Sequence, residues 1–162
     1  MEDRKKTLQE LKENYKKLKE RYNLPNFQEM NENFHIERIA ESETELLIKE
    51  IRRFVADKMS GYLRFIETLL NPMNVQMFIF SIIKSLRNED KNKLTEIYNK
   101  LSKIEVKLIK IDLNFSEQDE AEFIKEACKI WEEIKEDLLG ILATIEKNWD
   151  VKPESNTKNY FG

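Results

Sequence analysis

One apolar seam constrains this chain more than any other feature. Between Ser116 and Trp149, the residues Ile124, Ala127, Trp131, Ile134, Leu138, Ile141 and Ile145 follow one another in alternating steps of three and four. That rhythm marks one stripe of a coiled-coil-like helix. Such a helix is roughly 50 Å long at 1.5 Å per residue. It cannot bury its own stripe, so other helices must pack along it.

The rest of the chain supplies those helices. Leu8, Leu11, Tyr15, Leu18 and Tyr22 form a second narrow seam, in a first helix expected over Asp3 to Tyr22 and stopped by Leu24-Pro25. Asn26 with Glu29 reads as the N-cap pair of a short second helix whose Phe27, Met30 and Phe34 face inward. Ser42 and Glu45 form a capping box before a third helix, about Glu43 to Leu70, with a wider apolar face. Gly61 lies inside that helix. Its cost of about 1 kcal/mol against alanine predicts a close crossing by another helix.

In the stretch Asn74 to Leu86, Val75, Met77, Phe78, Ile79, Phe80, Ile82 and Ile83 leave little polar surface. Its period fits a strand or a helix, and a lone strand would leave backbone groups unpaired, so a helix is expected. It forms either the central core helix or a subunit interface. A turn at Asn88 to Asp90 precedes a fifth helix reaching about Ile111, with the seam Leu94, Ile97, Leu101, Ile104, Leu108 and Ile111. The link Asp112 to Phe115 is short, so the fifth and last helices are expected to run antiparallel. Their charges match: eight Lys and Arg face four acids over Lys84 to Lys110, and ten acids face four lysines over Glu117 to Lys147. The expected fold is all-α, a bundle of five or six helices with a long antiparallel C-terminal helical hairpin. Residues 1–149 form one domain, and residues 150–162 a mostly flexible tail.

Composition agrees. Of 162 residues, 36% are charged and only three are Gly and three Pro, which fits helices with few loops. The net charge of −3 gives no overall attraction to nucleic acid or membrane. The run Val75 to Ile83 is too short to span a bilayer, and the first 23 residues are too charged for a signal peptide. With Cys128 as the one cysteine, no intramolecular disulfide is possible, and a cytoplasmic location is expected.

Little in the sequence carries chemistry. His35 is the only histidine, and Glu32 with His35 makes a single E-x-x-H pair. Di-iron carboxylate bundles need two such pairs plus two more carboxylates. Cys128 reads as a small apolar filler. All-helical nucleotide pyrophosphohydrolases hold Mg²⁺ with E-x-x-E and E-x-x-D motifs. The pairs Glu10/Glu13, Glu29/Glu32, Glu117/Glu120 and Glu133/Glu136 occur here, but so many glutamates give that number by chance. No catalytic, metal-binding or cofactor-binding residue is assigned, and no cofactor is expected.

Lys100, Lys103, Lys107 and Lys110 each precede a seam residue of the fifth helix. They are the candidate phosphate contacts of a nucleic-acid-associated module. The competing reading pairs them with Glu126, Glu133 and Asp137 of the last helix, and it is preferred because no aromatic interleaving accompanies the lysines. Near the C-terminus, Tyr160 and Phe161 resemble the aromatic pair of sliding-clamp-binding peptides. Glu154 and Thr157 stand where that family has Gln and an aliphatic residue. The resemblance covers eight residues and implies a clamp-docking tail; the plainer reading docks the pair on its own or a neighbouring subunit.

The functional expectation is a non-enzymatic helical scaffold or protein–protein interaction module, open to self-association as a homodimer. Its candidate contacts are Leu8, Leu11, Tyr15 and Leu18, then Met77, Phe78 and Phe80, and finally Tyr160 and Phe161. The alternatives are the nucleic-acid-associated module and, behind it, a metal-dependent all-α hydrolase. No membrane partner is expected.

Overall fold

The computed structural model describes residues 2–42, 44–73 and 76–149. The elements are α1 (Glu2–Tyr22), α2 (Phe27–Phe34), a 3₁₀ helix (Ile36–Glu41), α3 (Leu47–Leu70), α4 (Met77–Ser85), α5 (Asn88–Leu113) and α6 (Glu117–Trp149). Every regular element among the described residues is helical.

The seams become the core. On α6, all seven seam residues from Ile124 to Ile145 are buried. On α5, Leu94, Ile97, Leu101, Ile104 and Ile111 are buried, and Leu108 packs against them. The wider face of α3 contributes Ile48, Ile51, Val55, Met59, Ile66 and Leu69. These three helices contact one another more extensively than any other set. Each buried Leu or Ile is worth about 1.5–3 kcal/mol relative to exposure, which is what holds long charged helices side by side. The 3₁₀ helix packs on α1, and α4 packs on α6. Asn148 Nδ2 also donates to the Ser85 carbonyl at 3.0 Å, tying the end of α4 to the end of α6.

Polar cross-links set the register. Lys93 pairs with Asp137 at 3.3 Å, Lys100 with Glu133 at 3.0 Å, and Lys107 with Glu126, so the α6 number falls as the α5 number rises. Arg52 of α3 reaches both neighbours: Nε donates to Glu120 Oε2 at 2.7 Å and Nη2 to Asp112 Oδ1 at 3.0 Å. Arg52 and Glu120 are buried, and their mutual bonds satisfy them. No buried side-chain nitrogen or oxygen among the described residues lacks a partner.

Several local expectations need correcting. The third helix starts at Leu47, not Glu43. Ser42 caps the C-terminal end of the 3₁₀ helix, and α3 opens behind Leu46 without a side-chain cap. The chain had an alternative in Ile36 and Ile39, whose burial holds Ile36–Glu41 in 3₁₀ form. Asn26 is the N-cap of α2, but its side chain makes no cap bond. Asn88–Asp90 is not a turn before α5 but its first turn. There the Arg87 N–H donates to Asp90 Oδ2 at 2.9 Å, the half of a capping box that the acidic N3 residue provides. No helix crosses closely at Gly61, where an added Cβ would meet nothing within 4 Å.

Candidate interaction surface

The first-helix seam is core, which removes four of the nine expected contact residues. Leu11 and Tyr15 are buried, and Leu8 and Leu18 pack against the same core. Tyr15 also meets Phe27 edge-on at 5.4 Å and donates its hydroxyl to the Pro25 carbonyl at 2.8 Å. Burial pushes that phenol's pKa up. The Tyr22 hydroxyl, in turn, donates to Glu117 Oε2 at 2.6 Å, so the end of α1 is fastened to the start of α6. A narrow seam faces one surface, and this chain's own 3₁₀ helix supplies most of it, with α2 and α3 beside it.

The α4 expectation divides. Ile79 and Ile82 are buried, whereas Met77 (84% exposed), Phe78 and Phe80 face outward, together with Met73. The helix lies at the edge of the core and is not its central element. On nine residues, an inward stripe of two isoleucines, with Ile83 packed partly buried beside it, leaves Met77, Phe78 and Phe80 at the surface.

A second apolar surface lies on α5. Val106, Ile109 and Leu113 are 67%, 56% and 83% exposed. They keep the three-four rhythm on the side opposite the buried seam. The pattern was present in the sequence as a second seam two residues out of phase with the first. It was missed because three hydrophobic residues at helical spacing are masked by a longer, stronger stripe on the same helix.

The four candidate phosphate contacts have separate fates. Lys100 and Lys107 are held by Glu133 and Glu126. Lys103 and Lys110 are exposed and have no carboxylate in ion-pair range among the described residues.

Two polar clusters join α2 to its neighbours, and sequence reading found neither. In the first, Asn33 Oδ1 accepts from Trp131 Nε1 at 3.0 Å and from Lys135 Nζ at 3.3 Å. Lys58 donates to the Asn33 carbonyl and lies over the Trp131 ring at 4.4 Å. Partial burial, with Lys135 nearby, lowers the Lys58 pKa. Trp131 also touches the Tyr62 and Phe34 rings. This arrangement clamps α2 between α3 and α6. In the second, the Glu29 and Glu132 carboxyls come together beside Cys128. Partial burial raises the Glu29 pKa, with the Glu132 carboxyl adding to it. The Cys128 thiol lies 3.3 Å from Met30 Sδ and is pushed up to about 12 by burial and the two glutamates. It is protonated at neutral pH and acts as a filler.

The cleft between α1 and the start of α3 encloses about 530 Å³. Leu11, Ile39 and Ile48 form its floor, and Lys17, Arg21, Glu10, Glu45 and Glu117 mix both signs around its rim. Arg21 is already paired with Glu117 at 3.4 Å, so the rim selects no single charge class. His35 is not on the helix with Glu32: α2 ends at Phe34, and His35 takes the left-handed cap position at φ 55°. No group of three His, Cys, Asp or Glu suited to a metal ion occurs among the described residues. Nor is any described helix long and apolar enough to cross a membrane. Tyr160 and Phe161 lie outside the described residues. No protein-family model matches the chain, and no match was found to a curated protein or to a solved structure.

Proposed function

We propose that this chain is a non-enzymatic helical scaffold or interaction module, one domain over residues 1–149, working through apolar side chains on the outside of a helical bundle. The bundle is read as an antiparallel α5–α6 hairpin, supported by three ion pairs whose numbering runs in opposite directions, with α3 laid along it. The observation that carries the functional reading is the outward placement of Met77, Phe78 and Phe80 on α4 and of Val106, Ile109 and Leu113 on α5. Exposed apolar groups in patches mark contact sites, whereas scattered ones do not. Methionines beside phenylalanines also make an adaptable contact surface.

The lysines of α5 give less support to a nucleic-acid reading, since two of the four are held by α6 carboxylates. The test is affinity capture from native lysate with the intact chain and with Met77→Glu/Phe80→Glu. The reading expects a retained protein with the first bait and its loss with the second. Equal retention by both baits, or none by either, counts against it.

A further inference from the structure

We propose that the outward face of α5 pairs, parallel and in register, with α5 of a second copy of this chain. This rests on the interaction reading and names one partner for it. If α5 fails the test below while α4 captures a protein, the broader reading stands and only this proposal falls.

Helix α5 is built with two seams. The inner one, Leu94 to Ile111, is filled by α3 and α6. The outer one consists of Val106, Ile109 and Leu113, continued toward the N-terminus by Ser102 and Asn99. In heptad terms Asn99, Val106 and Leu113 occupy a positions, and Ser102 and Ile109 occupy d positions. With Val106 and Leu113 at a and Ile109 at d, the apolar residues alone do not select two strands, so strand number rests on the polar a position. A single asparagine at a fixes register and strand number at some cost in stability. Here Asn99 is that residue. Beside this seam, between α5 and α6, an open groove of about 830 Å³ gives side chains of a second copy somewhere to go.

The flanks decide the direction of pairing. Lys103 and Lys110 fall at e, while Glu105 and Asp112 fall at g. A two-fold axis along the helices sets the lysine flank of each copy against the acidic flank of the other. Glu105 then meets Lys110 of the second copy, five residues further on, which is the spacing of an interhelical g-to-e pair. A two-fold axis across the helices would instead set lysine against lysine. The acids are available for this. Ser60 Oγ donates to one oxygen of Glu105, and Arg52 to one oxygen of Asp112, so each keeps its second oxygen. The free lysines Lys103 and Lys110 are those on the outer flank, while Lys100 and Lys107, on the inner flank, are neutralised within the chain.

Two experiments test the pairing. Cys128 is the only native cysteine and is buried, so Val106→Cys introduces a single exposed thiol. Parallel in-register pairing predicts a disulfide-linked dimer on mild oxidation, abolished when Ile109→Lys is added. Sedimentation velocity then reads the reversible equilibrium. A monomer–dimer equilibrium is expected for the native chain, a monomer for Ile109→Lys, and a dissociation constant raised about tenfold for Lys110→Glu. Adding Glu105→Lys to Lys110→Glu is expected to recover most of that loss. Every substituted side chain is outside the core, and a native helical circular dichroism spectrum checks that each variant folds. A monomer at millimolar concentration overturns the proposal. So does a dimer indifferent to Ile109→Lys, or charge reversal without rescue. A monomer that sediments with phosphatidylserine vesicles assigns the ridge to a membrane surface and overturns it equally.

Discussion

At the scale of residues, Arg52 is where the three long helices converge. It is a charge placed in an apolar interior, and it persists there because Glu120 and Asp112 meet it. Breaking such a pair is expensive, since the surviving charge stays buried. Arg52→Met is expected to lower unfolding free energy by about 3–5 kcal/mol, and adding Glu120→Leu to recover much of that loss. Urea denaturation of both variants checks it. The glycines predict the opposite sign. Gly61 and Gly140 are helical, exposed and clear of neighbours, so alanine at either is expected to stabilise by about 0.5–1 kcal/mol. Neither environment was legible in advance. Arg52 is one charge in a chain that is 36% charged, and spacing alone does not separate a glycine at a crossing from one facing solvent.

Glu29 gives the pH dependence of stability a definite sign. Its pKa is raised in the folded chain by partial burial and by Glu132, so the native state binds a proton there more tightly than the unfolded chain does. The contribution is fully present below the unfolded value and is lost as pH rises through the higher folded value. Around this group stand Glu132, Lys125, Lys129 and Cys128 from α6, Tyr15 from α1, and Glu32 from α2 itself. Glu132→Gln removes the competing charge. The expected result is a smaller loss of stability between acidic and neutral pH than in the native chain, read as urea midpoints across that range.

At the scale of elements, the long seams were legible and the short ones were not. On α5 and α6 the repeat is sustained over many turns, so periodicity and burial agree. On α4 six of the nine residues are apolar, and composition alone does not choose which face turns inward. The fold chose Ile79 and Ile82. Ile82→Ala is therefore expected to cost about 2–5 kcal/mol, as a buried truncation does. Met77→Gln is expected to stay within about 0.5 kcal/mol of the native chain, as exposed substitutions do. Thermal or urea unfolding distinguishes them. The α1 seam shows the converse error: a narrow stripe looked available to an outside partner, and the chain itself supplies one in its 3₁₀ helix. That helix was illegible because an acidic stretch carrying Ile36 and Ile39 has no period to read.

At the scale of the whole molecule, every long helix spends one face on the core, and α4 and α5 retain a second apolar face. Those spare faces are the proposed contact surfaces. The most direct measurement is side-chain footprinting by photogenerated carbene, on the purified chain at low concentration and again in its native lysate. Labelling is expected to fall in the lysate at Met77, Phe78 and Phe80, or at Val106, Ile109 and Leu113, while Leu11 and Tyr15 stay protected in both. Undiminished labelling of both faces in the lysate would contradict their assignment as contact surfaces.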